Sequence, residues 1–300
     1  MADANFVLLD DRGILAVSGP ERRPFLQGLV SNDVDKVSPT AARYAAFLTA
    51  QGKYLHDFIM VEAGESIWLD TEAARLGDLK RRLSMYRLRA KASLDERPDL
   101  CVAAVFGADA PAVLGLSSEP GAARSFGSGV AFIDPRLAAL GARAILPRAG
   151  ARVVLADAGL AEAGFDSYDR LRLSLGIPDG SRDLVLEKSI LLESGFDELS
   201  GVDWQKGCYI GQELTARTKY RGLIKKRLMP VTIDGPTPVP GTVVTADGRE
   251  IGEMRSSRDG VGLALLRIEP VREGKKLAAG EATLVPVRPA WMRLEDEVSP

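Results

Sequence analysis

Apolar residues recur in short runs near the start of the chain, and each run ends at a turn sequence. Asp10-Asp11-Arg12-Gly13 separates the first two runs, and Gln51-Gly52-Lys53 separates the next two, as expected for turns between neighbouring strands. The runs predict strands at residues 6–9, 14–17, 45–49, 54–61 and 66–70. The N-terminal region is therefore predicted to be rich in β-structure.

One helix is predicted among these strands. Ser18-Gly19-Pro20-Glu21 is a helix-opening sequence, and the segment that follows it carries Phe25, Leu26 and Leu29. Ser31-Asn32-Asp33 then ends this helix.

A second helix, predicted over residues 74–89, is strongly basic. Its apolar residues follow helical steps of three, four and three positions, at Leu76, Leu79, Leu83 and Tyr86. Its basic residues lie largely off that face, at Lys80, Arg81, Arg82, Arg87 and Arg89. The pattern is typical of a solvated amphipathic helix, and a surface that docks an anionic ligand or partner is the alternative.

Strands and helices continue to mix in the middle of the chain without strict alternation. Further strands are predicted at residues 92–94, 101–106 and 131–133, and helices at residues 111–116 and 166–175. Residues 107–129, rich in small residues and proline, are interpreted as surface loops. Residues 179–224 show only weak periodicity, and long irregular segments of this kind are usually functional or disordered.

The pattern changes to short β-like runs from Leu228 onward. Gly and Pro turns separate runs at residues 229–233, 242–245, 250–255 and 261–266. These runs predict a small antiparallel barrel or sandwich. We therefore expect an α+β chain with a region of two interleaved subdomains at residues 1–226 and a barrel domain at residues 227–300.

Composition narrows the classes of function. The 300 residues are 46% apolar and 27% charged with a net charge of −2, which gives no overall attraction to nucleic acid or membranes. We expect no direct DNA binding and no membrane association. The N-terminal residues lack the features of a secretory signal or transit peptide, and two cysteines do not make a disulfide framework. A reducing cytoplasm is the expected location.

One cysteine lies in an unusual setting, the octapeptide KGCYIGQE at positions 206–213. Residues 206–227 hold seven basic side chains and one acidic side chain, whereas residues 187–203 hold five acidic side chains and one lysine. A sharp change of charge therefore surrounds Cys208, and the basic residues that follow it would stabilise a thiolate.

Several chemistries are open to Cys208 on its residues alone. One histidine and two cysteines cannot supply the three or four ligands of a closed zinc or iron–sulfur site, so a shared cluster would need ligands from a partner. His56 is a candidate base for Cys–His catalysis, although a structural polar position in a strand is the simpler explanation. Cys101 is interpreted as a small buried apolar residue. A loop cysteine without function is the remaining alternative.

Five segments carry a resemblance to a known family. They are GVDWQKGCYIGQELTART at 201–218, preceded by Leu192-Glu193; FLQGLVSNDV at 25–34; QGK at 51–53; YRLR at 86–89; and Arg172 followed by Gly176-Ile177-Pro178. The first resembles the signature of the YgfZ family and of its mitochondrial iron–sulfur assembly relatives. The resemblance extends from about residue 6 to about residue 268.

The wider superfamily is that of the glycine-cleavage T-protein, a tetrahydrofolate-dependent aminomethyltransferase. The resemblance implies a ring of three domains with a central folate pocket and a C-terminal antiparallel β-barrel. Where the T-protein loop carries an acid, this chain carries Cys208. That difference favours the YgfZ-like interpretation over aminomethyl transfer.

The resemblance implies a protein that binds tetrahydrofolate or a derivative and helps to assemble, mature or repair [4Fe–4S] proteins. Cys208 would be its essential thiol, holding or transferring a cluster or sulfur species. Lys206, Gln212 and Arg217 are the expected neighbours of the thiol. The folate-contacting residues are expected to be Asn32, Asp33, Tyr168, Glu193, Tyr209 and Arg217. Asn32 and Asp33 could instead end the preceding helix, and Tyr168 could be a core tyrosine.

The expected partners are an A-type iron–sulfur carrier and [4Fe–4S] client enzymes, with the chain itself monomeric. We expect an assembly factor rather than an enzyme with ordinary turnover. Two alternatives stay open, a folate-dependent one-carbon transferase, including a tRNA-modifying one, and a non-catalytic docking module.

Overall fold

The computed structural model describes residues 3–222 and 224–294, so the end of the predicted C-terminal domain lies outside the described residues. The strands are β1 (Asn5–Leu8), β2 (Arg12–Ser18), β3 (Arg43–Leu48), β4 (Tyr54–Ala63), β5 (Ser66–Glu72), β6 (Ser93–Glu96), β7 (Leu100–Phe106), β8 (Ala123–Phe126), β9 (Gly129–Ile133), β10 (Ala142–Pro147), β11 (Ala161–Glu162), β12 (Lys226–Asp234), β13 (Val243–Ala246), β14 (Arg249–Arg258), β15 (Val261–Arg267), β16 (Leu277–Ala279) and β17 (Ala282–Pro286). The helices are α1 (Arg22–Gln27), α2 (Leu76–Arg87), α3 (Ala110–Val113), α4 (Ala151–Asp157), α5 (Phe165–Ser174), α6 (Gly180–Asp183), α7 (Gln212–Tyr220) and α8 (Ile268–Arg272).

Two compact units contain these elements. The first unit comprises the residues up to Leu48, Leu55–Tyr168 and Ser200–Ile210. The second unit comprises Thr49–Tyr54, Asp169–Leu199 and the residues from Gly211 onward. Each unit is thus assembled from segments that are far apart in sequence. A domain boundary at residue 226 stays a prediction.

The first unit contains a mixed sheet with the strand order β11-β1-β7-β10-β9-β8. β1 runs antiparallel to β7 and parallel to β11. β7 is buried along its whole length, as its uninterrupted apolar sequence predicts. Cys101, in this strand, belongs to the same core as Phe6 and Leu146.

A second sheet in this unit has the order β3-β4-β5-β2-β6. Leu26 of α1 and Leu79 and Leu83 of α2 are buried in one core with Phe47 and Phe58. Leu79 and Leu83 are four positions apart, which places them on one face of α2. Burial of each leucine contributes roughly 1.5–3 kcal/mol. The apolar face predicted for the basic helix is confirmed at Leu79 and Leu83, with Leu76 partly buried, whereas Tyr86 is exposed.

A buried ion network joins the two sheets of the first unit. Asp70 of β5 accepts hydrogen bonds from Arg12 at 2.8 Å and from Arg143 of β10 at 2.5 Å. Arg143 also lies 3.5 Å from Asp134, which pairs with Arg136. Burial raises the pKa of Asp70, but the two arginines more than offset this effect and hold the pKa below its ordinary value. Asp70 therefore stays charged inside the protein.

The second unit contains a closed six-stranded barrel with the order β12-β15-β14-β13-β16-β17. Its interior is filled by apolar residues that include Met229, Val244, Met254 and Leu284. All pairings within it are antiparallel. The barrel, not the sandwich alternative, is therefore the observed C-terminal architecture.

Arg172 connects α5 to the barrel within the second unit. Its guanidinium donates to Asp169 and to Asp183 of α6, both at 2.7 Å, and to the hydroxyl of Ser256 in β14 at 2.8 Å. It also donates to the carbonyl of Ile177 at 3.3 Å. The Arg172 and Gly176-Ile177-Pro178 motif thus forms a buried structural joint.

Several elements differ from the sequence-based expectation. Residues 107–129, interpreted as loops apart from a helix at 111–116, contain the edge strand β8 as well as α3, and the segment 179–224 contains α7. β10 and α4 were not predicted. β10 was missed because it carries Arg143, whose burial with Asp70 and Asp134 interrupts the apolar pattern. α7 was missed because threonines, Thr215 and Thr218, fill its buried positions.

Candidate functional site

Cys208 lies in a segment of the first unit that forms neither a helix nor a strand. We name this segment, Ser200–Ile210, the thiol loop. Cys208 is exposed and unpaired with the other cysteine. The residues around it determine how firmly this exposed thiol is held.

The start of the thiol loop is bonded to Ser31 and Asn32, which follow α1. The Ser31 hydroxyl donates to the carbonyl of Gly201 at 2.6 Å, and the Ser31 carbonyl accepts from the amide of Asp203 at 3.0 Å. The Asn32 side-chain amide donates to the carbonyl of Ser200 at 2.7 Å. Lys36 adds an ion pair with Asp203 at 2.5 Å.

Lys206 fastens the middle of the loop to the same segment. Its ammonium group donates to the carbonyls of Gln27, Val30 and Asn32 at 2.8, 2.5 and 3.0 Å. These three carbonyls match the three N–H donors of a lysine. Burial lowers the pKa of Lys206 to about 8, against the opposing effect of nearby carboxylates. The Lys206 ammonium, which was expected to lie beside the thiolate, is therefore hydrogen-bonded to main-chain oxygens.

The end of the loop is fixed by Tyr209 and Ile210. Tyr209 is buried, and the Lys206 ammonium lies 5.1 Å from the centre of its ring. The amide of Ile210 donates to the carbonyl of Gly28 at 3.2 Å, and the Ile210 side chain packs against the core that contains α1 and α2. Cys208 is therefore an exposed residue between two anchored neighbours, and its sulfur can meet a partner without unfolding the loop.

The two glycines beside Cys208 have different roles. Gly211 has a φ of +81°, in the left-handed region that favours glycine, at the start of α7. Gly207 has no such backbone angle, and a Cβ placed there would meet no atom within 4 Å. A backbone angle that favours glycine therefore occurs at Gly211 and not at Gly207.

Gln212 and Arg217 lie in α7, in the second unit, whereas Lys206, Cys208 and Tyr209 lie in the first. Arg217 forms an exposed ion pair with Glu213 at 2.5 Å. Lys219 pairs with Asp197, and the buried Arg227 pairs with Glu198. Part of the basic block that follows the cysteine is thus paired with acids of its own unit, and the roles of Gln212 and Arg217 near the thiol stay predictions.

Asn32 and Asp33 serve local structure. Both amide hydrogens of Asn32 are used, by the carbonyls of Tyr44 and Ser200, and its oxygen accepts from the amide of Asp33. Asp33 caps the 3-10 turn Val34–Lys36 by accepting from the amide of Asp35, and it also accepts from Gln27. α1 itself ends at Gln27 with Gly28 as its C-cap, so the prediction that Asn32 and Asp33 end that helix is wrong.

Tyr168 is buried in the first unit. Its ring packs against Phe106 with 5.8 Å between the ring centres. This is the environment of a core tyrosine, the alternative given for this residue. A contact between Tyr168 and a pterin ring stays a prediction.

Glu193 lies in the 3-10 turn Leu192–Ser194 of the second unit, and it is half-buried. Burial raises the pKa of Glu193, and this effect outweighs those of Lys226, Lys53 and Arg227, which lower it. Within residues 3–222 and 224–294, the carboxyl group has no hydrogen-bond or ion-pair partner. Of the predicted folate residues, Glu193 is therefore the one with an uncommitted group suited to bind N–H donors.

His56 and Cys101 do not share the environment of Cys208. His56 is buried, and its Nε2 lies 3.0 Å from a carboxylate oxygen of Asp78. Burial lowers the pKa of His56 to about 4, with Arg75 adding to the effect. Burial also raises the pKa of the Cys101 thiol. These contacts support the structural interpretation of both residues.

The described part of the chain contains no cluster of three or more His, Cys, Asp or Glu side chains arranged to hold a metal ion. No helix in the described residues is long and apolar enough to cross a membrane. The anchors Ser31, Lys36 and Asp203 were not predicted as site residues. Their only signal was their position in or beside the shared motifs, because their partners lie more than 160 positions away.

Comparisons with known proteins agree with this architecture. Residues 225–294 match the family model described as the C-terminal β-barrel domain of CAF17. The solved structure of the glycine cleavage system aminomethyltransferase T from Bartonella henselae superposes with a TM-score of 0.79 at 18% identity, covering 97% of this chain and 87% of that chain. The expected T-protein fold with a C-terminal antiparallel barrel is thus confirmed.

Two curated relatives match most of the chain. The mitochondrial iron–sulfur cluster assembly factor IBA57 of Mus musculus is 37% identical, covering 94% of this chain and 84% of the relative. The human protein of the same name is 36% identical, covering 92% and 81%.

The names of these relatives overturn one expectation. Both are called mitochondrial, so the predicted cytoplasmic location is wrong. Cysteine usage reports whether a compartment is reducing, and it does not distinguish one reducing compartment from another. On the identity and coverage of these relatives, the chain belongs to the family of the iron–sulfur cluster assembly factor IBA57.

Proposed function

We propose that this chain assists the assembly, maturation or repair of [4Fe–4S] proteins, and that Cys208 holds or transfers the cluster or a sulfur species. The observation that carries this proposal is the exposed Cys208 between the anchors Lys206 and Ile210. A thiol on a fixed loop can enter the coordination shell of a partner's cluster with little loss of conformational entropy.

The proposed step is a ligand exchange. The sulfur of Cys208 forms a bond to iron as one thiolate of the carrier leaves, and the proton lost by Cys208 passes to the departing thiol. No electron is gained or lost. Since the chain contains two cysteines and one histidine, the carrier supplies the remaining ligands. An A-type iron–sulfur carrier is the proposed partner, and [4Fe–4S] enzymes are the proposed clients.

Anaerobic mixing with a [2Fe–2S]-loaded A-type carrier tests this proposal. We expect wild-type protein to change the visible spectrum of the cluster and to form a stable complex with the loaded carrier, and Cys208→Ala to do neither. Cys101→Ala is the matched control, because Cys101 is buried and should leave the spectrum as in wild type. Identical spectra for wild type and Cys208→Ala would exclude a role for this thiol.

We further propose that the chain binds tetrahydrofolate or a derivative, with Glu193 as the acid that receives the N–H donors of the pterin. Its half-buried, unpaired carboxyl group fits this role. Asn32 fits less well because both of its amide hydrogens are already bonded. Calorimetry with tetrahydrofolate should show at least tenfold weaker binding for Glu193→Gln, and unchanged binding for the exposed control Glu250→Gln. Equal affinities would remove Glu193 from the site.

The same carboxyl group favours one alternative function, a folate-dependent one-carbon transferase, including a tRNA-modifying one. Incubation with an aminomethyl-lipoyl protein and tetrahydrofolate distinguishes the two. Formation of methylene-tetrahydrofolate that requires Glu193 but not Cys208 would support the transferase and contradict the assembly factor.

A further inference from the structure

The end of α2 exposes an unusual surface, which we name the helix tip (residues 84–89). All six of its residues are exposed, and three are large and apolar: Leu88 at 88%, Met85 at 58% and Tyr86 at 42%. Soluble proteins expose single apolar residues freely, but a contiguous exposed group at one helix end is the pattern of an interaction site.

The helix tip carries two arginines whose charges are not balanced by an ion pair within the described residues. Arg87 and Arg89 are exposed, and neither forms an ion pair with any residue that the structure describes. Upstream on the same helix, Arg81 and Arg82 both pair with Asp78, so their charge is already balanced. Two free guanidinium groups beside three apolar side chains complement an apolar surface with an acidic rim.

The residue types indicate a protein surface as the occupant. Met, Tyr and Arg are enriched in the centres of protein interfaces, whereas Lys is depleted there, and the helix tip contains no lysine. Recognition of anionic lipid usually requires clusters of about 4–8 basic residues. The two arginines of the helix tip fall short of that number.

Leu88 ends α2 in an unusual backbone conformation. Leu88 has a φ of +43°, a region that residues other than glycine rarely adopt, and it directly follows the last residue of α2. A conformation of this kind costs roughly 1–3 kcal/mol. The helical conformation therefore stops at Leu88, within the helix tip.

A short chain of contacts joins the helix tip to the thiol loop within the first unit. The ring of Tyr86 packs edge-on against Phe47, with 5.9 Å between the ring centres. Phe47 pairs with Val30 in an antiparallel bridge, and the carbonyl of Val30 accepts from Lys206. Phe47 and Val30 are buried, so the helix tip and the thiol loop are linked through the core of one unit.

We propose that the helix tip is the docking surface for the acidic, cluster-carrying partner protein whose cluster Cys208 engages. This inference rests on the proposed function, because it names the surface that recognises the carrier for that same thiol. Met85, Tyr86 and Leu88 form the apolar centre of the interface, and Arg87 and Arg89 direct the approach of the acidic partner. Docking and cluster binding are thereby assigned to different residues.

The test separates docking from cluster chemistry by titrating the full chain with the A-type carrier, first without and then with its [2Fe–2S] cluster. We expect Met85→Ser with Leu88→Ser, and separately Arg87→Glu with Arg89→Glu, to weaken binding of the cluster-free carrier at least tenfold. The loss caused by charge reversal should shrink as ionic strength rises. Val153→Ser, an apolar residue of the first unit about as exposed as Met85, is the matched control and should bind as wild type.

The outcomes distinguish this inference from the proposed function. If the tip variants bind the carrier like wild type while Cys208→Ala loses the shared spectrum, the docking surface is wrong and the thiol function stands. If Cys208→Ala shares the cluster like wild type while the tip variants fail to dock, the thiol function is wrong and the surface stands. If wild type does not bind the carrier at all, both are overturned.

Two further results would replace the proposed occupant. Binding of wild type, but not of the tip variants, to anionic phospholipid vesicles in the absence of any carrier binding would assign the helix tip to a membrane. Concentration-dependent dimerisation in sedimentation that Leu88→Ser abolishes would assign it to a second copy of this chain. Either result contradicts the proposal.

Discussion

The ammonium group of Lys206 lies 2.8 Å from the main-chain carbonyl of Gln27, although the two residues are 179 positions apart. The carbonyls of Val30 and Asn32 complete its hydrogen bonds. Lysine at this position therefore holds the thiol loop against the segment that follows α1. That contact therefore also holds Cys208, two residues later, in place.

Replacing Lys206 should increase the mobility of the thiol loop and lower the stability of the protein. Lys206→Met leaves three carbonyls without their donor, and we expect a loss of about 1–3 kcal/mol. Hydrogen exchange should quicken selectively in residues 200–210. Lys206→Arg should restore only part of the protection, because a flat guanidinium cannot direct one nitrogen at three converging carbonyls. Lys219→Met, which removes a partly exposed ion pair, should cost under about 1 kcal/mol. Equal exchange in Lys206→Met and wild type would contradict the anchor.

His56 should make the protein sensitive to mild acid. Its pKa is about 4 in the folded chain and 6.5 in its ordinary state, so the unfolded chain takes up a proton first as pH falls. The stabilisation is complete above pH 6.5, is lost progressively down to pH 4, and amounts to about 3 kcal/mol. Urea unfolding at several pH values should show a shallower decline for His56→Gln than for wild type over this window. Parallel declines would show that His56 is not responsible.

Gly52 should tolerate no side chain, whereas Gly207 should tolerate one. Gly52 has a φ of +77°, and an added Cβ would lie 2.6 Å from the carbonyl oxygen of Gly211 and 2.7 Å from Cβ of Leu214. We expect Gly52→Ala to destabilise the protein by more than about 1 kcal/mol, through strain and overlap together. Thermal unfolding of Gly207→Ala should match wild type, because its Cβ would meet open space. A similar loss in both variants would refute the distinction.

Arg172 should be essential to the second unit. Arg172→Ala leaves the buried Asp183 without its cation and removes one of the arginines paired with Asp169, and breaking a buried pair costs about 3–5 kcal/mol. Denaturant unfolding should report this loss. Among the described residues, the exposed neighbour Arg170 uses its guanidinium only for a long hydrogen bond to the Asp259 carbonyl, so Arg170→Ala should change stability by less than about 0.5 kcal/mol.

Much of the fold was accessible from the sequence, because apolar spacing reports which face of an element is buried. The spacing of Leu79 and Leu83 predicted the buried face of α2, and the runs after Leu228 predicted the barrel. β10 and α7 escaped prediction because polar residues occupy some of their buried positions. Arg143 in β10 and Thr215 in α7 are buried through partners or packing that no local pattern reveals.

The sequence also predicted some features of the candidate site, and others were visible only in the structure. The sequence identified Cys208 and its family motif, and it offered Lys206 as a neighbour of the thiolate. The structure places the Lys206 ammonium on three carbonyls, and it commits Asn32 to Tyr44 and Ser200. A side chain's type shows what it can bond, but not which group will be within reach.

The sequence by itself determined the order and type of most elements, the barrel, and the presence of one thiol in a charged, glycine-flanked motif. Only the tertiary structure decided that this thiol is exposed between anchored neighbours and that the end of α2 exposes Leu88. It also decided that Glu193, Arg87 and Arg89 form no ion pair with the residues that the structure describes. The reason is physical. Secondary structure follows from the spacing of apolar residues within a few positions. Exposure and hydrogen-bond partners depend on which distant segments of the chain come into contact in the folded protein.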